Sequence, residues 1–343
     1  MIKLLRYVNW SSLGMFVTRT HLLLILGLVL AMLASLHIGL RVYGPQTVWA
    51  GLNGGTGIDE LIITTLRLPR TLIGATCGGA LGLSGLLMQA ATRNPLAEPG
   101  LLGVDSGAAL AAMTAFSISG TVGLITLSVV AMTGAALAVF LVFGLAMLGD
   151  THFDPASVLL AGVTLAAMCS ALTQVILISN ERALEAMLFW LAGSFADREI
   201  ILLRVGIPIL IAGVLCALFL ASSLDALRTD DNSAAALGVR VLRTRISALG
   251  LAAILAGTSV ALAGPIMFIG LVAPHMARRI GHADNHARLV LTCVFIGALI
   301  AVLADILSRI IVAPGEAPVG TVLALIGVPA LIMLLRRSSK ATT

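Results

Sequence analysis

The chain has 343 residues, of which 59% are apolar and only 11% charged, with a formal net charge of +5. A water-soluble domain carries about 45–50% apolar residues, so this composition excludes one and specifies an all-α, polytopic membrane protein. A single integral domain is expected over residues 1–343, and no basic run with interleaved aromatics points to nucleic acid.

The chain begins on a basic stretch, MIKLLRYVNW, before an apolar run from Leu22 to Leu40. That run is too long for the hydrophobic region of a secretory signal and lacks a cleavage site, so it reads as the first span. A span needs about 20 apolar residues in the lipid bilayer. Such runs lie at 21–40, 61–90, 101–118, 121–148, 156–179, 200–222, 246–265, 287–308 and 317–335. Pro265–Ile280 is shorter and bracketed by Pro265 and Pro274; counted as a short span inside the bundle it makes ten, with nine the alternative. With ten spans and a cytoplasmic N-terminus, seven of the 21 Lys and Arg residues fall outside: Arg41, Arg67, Arg70, Arg182, Arg198, Arg204 and Arg309. The other fourteen fall inside, a bias that supports this orientation and places both termini in the cytoplasm.

Gly74, Gly78 and Gly82 recur every four residues in the second span, leaving a helix face of nearly bare backbone that another helix can approach closely. Pro95 and Pro99 then break the chain between spans two and three, where Asn94 is suited to hydrogen-bond the freed backbone groups. This elbow reads either as a cytoplasmic turn or as a fixed bend beside a transport pathway. The segment 180–199 is an external insert, with Leu184, Met187, Leu188, Trp190 and Leu191 at helical spacing. A short surface helix over the bundle mouth follows, with Trp190 as an interfacial anchor.

Leu224–Arg245 concentrates seven charged residues between two apolar runs. Thr229 or Asp230 suits an N-cap, Asp230 and Asp231 suit the positive helix end, Ala234, Ala235, Ala236 and Leu237 continue the helix, and Gly238 is a natural stop. So short a helix is not stable alone in water. The segment is therefore a solvated loop or a docking element for a soluble partner.

Cys77, Cys169, Cys216 and Cys293 all lie in apolar runs without CxxC spacing and read as small membrane-core residues rather than disulfides or metal ligands. No phosphate-binding GxxxxGK[ST], HExxH or GxSxG occurs. Asp105 and Asp305 are the candidates for a membrane proton relay, with helix capping as their other reading, and His275 after Pro274 is a third titratable candidate. A proton-coupled secondary transporter would depend on such groups. Arg67 and Arg70 flank Pro69, and Arg309 ends span nine. All three lie on the side where cations are scarce, forming either a head-group contact or a positive patch for carboxylates or an anionic ligand.

Several motifs resemble one family. RLPRTLIGATCGGALGLSGLLMQAATRNPLAEPGLLGVDSGAAL (Arg67–Leu110) looks like the signature of the FecCD-type permeases, membrane subunits of ABC importers for iron–siderophore complexes, haem and cobalamin. LLAGVTL (Leu159–Leu165), DDNSAAALGV (Asp230–Val239), ALAGPIMFIGLVAPHMAR (Ala261–Arg278), ADILSRI (Ala304–Ile310) and EAPVGTVLALIGVPALIMLL (Glu316–Leu335) extend the resemblance over about 60–337.

The resemblance implies a ten-helix permease bundle of the cobalamin-importer (type II) kind in the cytoplasmic (inner) membrane. It implies two permease subunits, identical or paired with a sister permease, two cytoplasmic ATPase subunits and an external substrate-binding protein, with a ferric siderophore as the expected cargo and cobalamin or haem as the alternative. The chain itself would be no enzyme and hold no cofactor or metal, with ATP and Mg on the ATPase. By resemblance, Asp230, Asp231, Ala234, Ala235, Leu237, Gly238 and Val239 match the coupling helix seated on the ATPase, and Arg67, Arg70 and Arg309 match arginines that pair with glutamates of the binding protein. Asp154, Pro155, Ala156 and Ser157 lie where the family places a cytoplasmic gate, but DTHFDPAS here departs from its Ser/Thr-rich loop.

Overall fold

The computed structural model describes residues 19–149, 155–280 and 285–340, and among these it is helical without strands. In chain order the α-helices are α1 (Arg19–His37), α2 (Pro45–Leu52), α3 (Ile58–Ile62), α4 (Leu68–Thr92), α5 (Val104–Ser119), α6 (Leu124–Gly149), α7 (Pro155–Ser179) and α8 (Glu181–Leu191). They continue as α9 (Leu203–Ala226), α10 (Asp231–Ala236), α11 (Val241–Ala263), α12 (Ile269–Ile280), α13 (His286–Ser308) and α14 (Val319–Lys340).

Seven of these segments are long and apolar enough to cross a membrane: α1, the continuous stretch Ile58–Thr92, α6, α7, Ile200–Ala226, α11 and α13. Two of the other apolar runs become shorter helices, α5 and α12, while α14 runs on from Val319 to Lys340 and is apolar over Val319–Pro329. Pro274 lies inside α12 and Pro329 inside α14.

The bundle is organised round α4. Of its apolar window 89% is buried, against 22–28% for α1, α6, α7 and Ile200–Ala226, so the former is the axis and the latter form an exposed apolar rim. The rim presents Leu23, Phe140, Leu160, Ile178 and Phe219 outward, as a membrane solvent requires. The most extensive packing of α4 is on α13 and α11. A Cβ at Gly78 would land on the carbonyl of Gly297, and one at Gly82 on that of Cys293. The two backbones therefore touch, the close approach from which helices in lipid gain dispersion energy and Cα–H contacts. Gly74 of the same row meets the Phe195 ring, 3.2 Å from a built Cβ, rather than a helix.

Around this axis the irregular segments are tied down individually. Asn94 Oδ1 accepts the Leu96 N–H at 2.9 Å in the elbow after α4, and Arg93 ends α4 in the left-handed conformation. Between α11 and α12 the chain runs irregularly through Gly264–Phe268, where Glu98 Oε1 accepts the Phe268 N–H at 2.8 Å. Burial pushes the Glu98 carboxyl up, against the lowering effect of that bond.

The helix α8 is N-capped by Asn180, whose side chain accepts the Ala183 N–H at 3.1 Å. Trp190 is 4% exposed and packs into the main core, so it is no interfacial anchor; Leu188 and Phe189 face outward instead. Cys77, Cys169 and Cys293 are buried, whereas Cys216 is exposed on the rim.

Candidate functional site

The helix α4 has 25 residues and so spans about 37 Å. Its two ends carry two clusters of charge. Each is built from residues far apart in sequence.

At the N-terminal end a π-helical turn, Ile63–Arg67, precedes α4. Such turns re-aim side chains locally and recur at functional sites. Arg67 Nη1 donates to the carbonyls of Leu36 at 2.8 Å and His37 at 3.0 Å, and Nη2 donates to Arg41 O at 2.5 Å. Its guanidinium also lies 4.4 Å from the centre of the Tyr43 ring. Arg309 Nη1 donates to Ser35 O at 2.9 Å and Ile38 O at 3.2 Å. Both arginines thus cap the C-terminal carbonyls of α1, which lack helical partners and carry the negative end of its dipole.

Arg70 does something different. Its Nε donates to Asp305 Oδ1 at 2.7 Å and its Nη1 to Glu316 Oε2 at 2.6 Å. The other Asp305 oxygen accepts from Arg309 Nη2. Asp305 is therefore neither a helix cap nor a relay waiting for a proton: it is a buried carboxylate shared by two guanidinium groups, 1% exposed. Arg67, Arg70 and Arg309 are themselves buried, at 8%, 8% and 3% exposure, and so do not form an open positive patch. They border a cavity of about 480 Å³ together with Arg41, Tyr43, Asp197 and Glu316. Arg309 Nε is buried without a hydrogen-bond partner.

At the other end α10 is a short helix fixed at both termini. Asp230 Oδ1 accepts the Ser233 N–H at 2.8 Å and Oδ2 the Ser233 hydroxyl at 2.6 Å, and these bonds hold its carboxyl below the usual range. Gly238 adopts φ +84°, with its N–H on Ala235 O at 2.9 Å and the Val239 N–H on Ala234 O at 3.1 Å. That pair of bonds is a Schellman closure, which needs the left-handed residue that glycine supplies without strain. Ala234 is buried beneath the helix, while Leu237 is 73% exposed.

Sequence reasoning missed how α10 is held. Asp231 Oδ1 accepts from Arg93 Nη2 at 2.7 Å and Arg245 Nη2 at 2.9 Å, so α10 is tied to the end of α4 and to α11 at once. Arg93 Nε also donates to Leu227 O at 2.6 Å. Nearby, Asp225 on α9 pairs with His286 Nδ1 at 2.6 Å and accepts its backbone N–H at 3.0 Å. Asp231 and Arg245 are 14 positions apart, but Asp225 and His286 are 61 apart and Arg93 lies 134 from Leu227, and only charge type was available in the sequence to suggest these pairs.

The remaining candidates are dispersed. Asp105 lies in the first turn of α5, whose N-cap Gly103 has no side-chain bond, and it borders a polar cavity of about 280 Å³ with Ser106, Ser170, Thr173 and Gln174. His275 Nε2 is buried without a hydrogen-bond partner. Pro155, Ala156 and Ser157 open α7, while Asp154 lies outside the described residues. Among the described residues no group of three His, Cys, Asp or Glu is placed to hold a metal ion.

The comparisons with known proteins agree with this architecture. The chain is 41% identical over 319 residues to the ferric enterobactin transport system permease protein FepD of Escherichia coli (strain K12), covering 92% of this chain and 95% of that one. It is 38% identical over 323 residues to the hemin transport system permease protein HmuU of Yersinia pestis, covering 92% and 94%. Among solved structures, an inward-facing conformation of a protein assigned to the metal-chelate type of ABC transporter superposes with a TM-score of 0.81 at 29% identity, over 92% of this chain and 98% of that one. A sequence profile described as the FecCD transport family matches residues 24–337, and the chain belongs to that family.

Proposed function

We propose that the chain is the permease subunit of an ATP-driven importer that moves a ferric siderophore across the cytoplasmic membrane by alternating access. The observation that carries this reading is the pair of charge clusters at opposite ends of α4. One is an arginine-bordered mouth; the other is a capped helix held to α4 through Asp231 and Arg93. Similarity to a ferric enterobactin permease supports the cargo class.

In this reading an extracytoplasmic binding protein delivers the chelate and docks through carboxylates at Arg67, Arg70 and Arg309. Two cytoplasmic ATPase subunits, which carry the ATP and Mg, seat α10 in their surface. A second permease subunit, identical or a sister, completes the pathway, and both termini lie in the cytoplasm. ATP binding moves α10. The ion pairs of Asp231 with Arg93 and Arg245 pass that movement to α4 and α11 together, and the helices rock about the close α4–α13 contact. Nucleotide shifts the equilibrium only through its unequal affinity for the two states. The first turn of α7, Pro155–Ser157, with Asp154 before it, is the proposed cytoplasmic gate.

A second reading keeps the machine and changes the cargo to haem or cobalamin; similarity to a hemin permease favours haem. Uptake of a panel of radio-iron siderophores, haem and cobalamin by cells lacking and then regaining this gene tests both. Restoration of one ferric chelate supports the first reading, and restoration of haem or cobalamin alone replaces it by the second.

A further inference from the structure

Two carboxylates hold Arg70, and they are not equivalent. Asp305 is 1% exposed, sits on the rigid α13 and is shared with Arg309. An incoming group could replace it only by stripping two buried guanidinium groups of their counter-ion. Glu316 is on the connection between α13 and α14, with its side chain 32% exposed, and it borders the arginine cavity directly. The backbone beneath it is pinned, since the Ala317 N–H donates to Ser308 O at 3.0 Å. Rotation of one side chain therefore frees Arg70 Nη1 without moving the loop.

We propose that Glu316 is a built-in competitor: it occupies Arg70 in the free permease and yields that position to a carboxylate of the docking protein. This rests on the reading of the arginine mouth as the docking site. Four arginines, Arg41, Arg67, Arg70 and Arg309, line the cavity with two carboxylates, Asp197 and Glu316, while Asp305 pairs with Arg70 and Arg309. Glu316 lines the same cavity as Arg67 and Arg309, so its withdrawal strengthens the positive field when a partner arrives. While Glu316 is in place, Arg70 is a poor site for stray anions, which gives discrimination against the wrong partner. A partly exposed ion pair is weak enough to exchange. The apparent affinity of the partner falls only by the fraction of time Arg70 is open.

The test is binding of the purified, chelate-loaded substrate-binding protein of the same transport system to the assembled transporter in lipid nanodiscs. Glu316→Gln is expected to tighten binding about fivefold, the size of a weak ion pair. Glu316→Asp keeps the charge but withdraws it by one methylene from a contact of 2.6 Å, and is expected to tighten binding as well. Unchanged affinity in Glu316→Gln overturns the proposal. So does tightening by Glu316→Gln that Glu316→Asp fails to reproduce, because that pattern is a general field effect. Binding indifferent to Arg67→Gln overturns the docking reading beneath it. Binding abolished by Arg67→Gln yet unaltered by Glu316→Gln overturns the competitor alone.

Discussion

Arg70 and Asp305, 235 positions apart in the chain, meet at 2.7 Å with both side chains almost wholly buried. The pair locks the start of α4 to the end of α13, and Arg309 joins it from the same carboxylate. Removing one member of such a buried group leaves the others charged and unpaired, which costs more than the intact group contributes. Asp305→Ala is expected to destabilise the protein by about 3–5 kcal/mol. Thermal unfolding in detergent measures this, and a loss below about 1 kcal/mol would show that water already screens the arginines.

The crossing of α4 and α13 predicts a contrast between two glycines. Gly78→Ala forces a methyl onto the Gly297 carbonyl, whereas a Cβ at Gly27 meets nothing within 4 Å. Gly78→Ala is expected to cost about 1–3 kcal/mol through backbone displacement, and Gly27→Ala to be neutral. Equal unfolding temperatures for the two variants would rule out a direct backbone contact.

Glu98 predicts a pH dependence. Its folded-state pKa is raised by burial, so the neutral carboxyl is the form that folding favours. Stability is therefore greater below the ordinary glutamate range, near about 4.3, and declines as pH rises through the raised folded value. Glu98→Gln retains an acceptor for the Phe268 N–H and should remove this part of the decline. Glu98→Ala leaves that N–H unpaired and should cost about 1–3 kcal/mol. Parallel pH profiles for wild type and Glu98→Gln would contradict the assignment.

The shape of α10 depends on its ends. Gly238→Ala places a Cβ at φ +84°, a strain of about 1–2 kcal/mol, and Asp230→Ala removes the N-cap. Both variants are expected to weaken retention of the ATPase subunits by about tenfold while leaving the unfolding of the bundle nearly unchanged. Undiminished co-purification of the ATPase would remove α10 from the interface.

The helix α10 was legible in the sequence because its signals are local: Asp230, three alanines and Gly238 carry the rules of capping and termination within nine residues. Gly78 and Gly82 announced a close approach, but their partner Gly297 is set by the fold. Trp190 was misplaced because helical spacing identifies an apolar face without saying what covers it; here it is buried in the main core. Asp305 looked like a cap although its i,i+4 spacing to Arg309 was visible. Its pairing with Arg70 across 235 positions leaves no trace in a single sequence, nor does the burial of Arg67 and Arg309 against the end of α1, so the three arginines looked like an open patch. The ten apolar runs survive as helices, but α5 and α12 are too short to count as spans by length, since run length does not reveal where a chain turns.

The most direct test of the account is ferric-siderophore uptake into proteoliposomes holding this permease, the ATPase and the binding protein, with ATP inside, for wild type and Asp231→Ala. Asp231 joins α10 to Arg93 and Arg245. The account predicts uptake that requires ATP in the wild type and falls at least about tenfold in Asp231→Ala, with ATP hydrolysis largely retained. Uptake that proceeds without ATP, driven by a proton gradient, would contradict it.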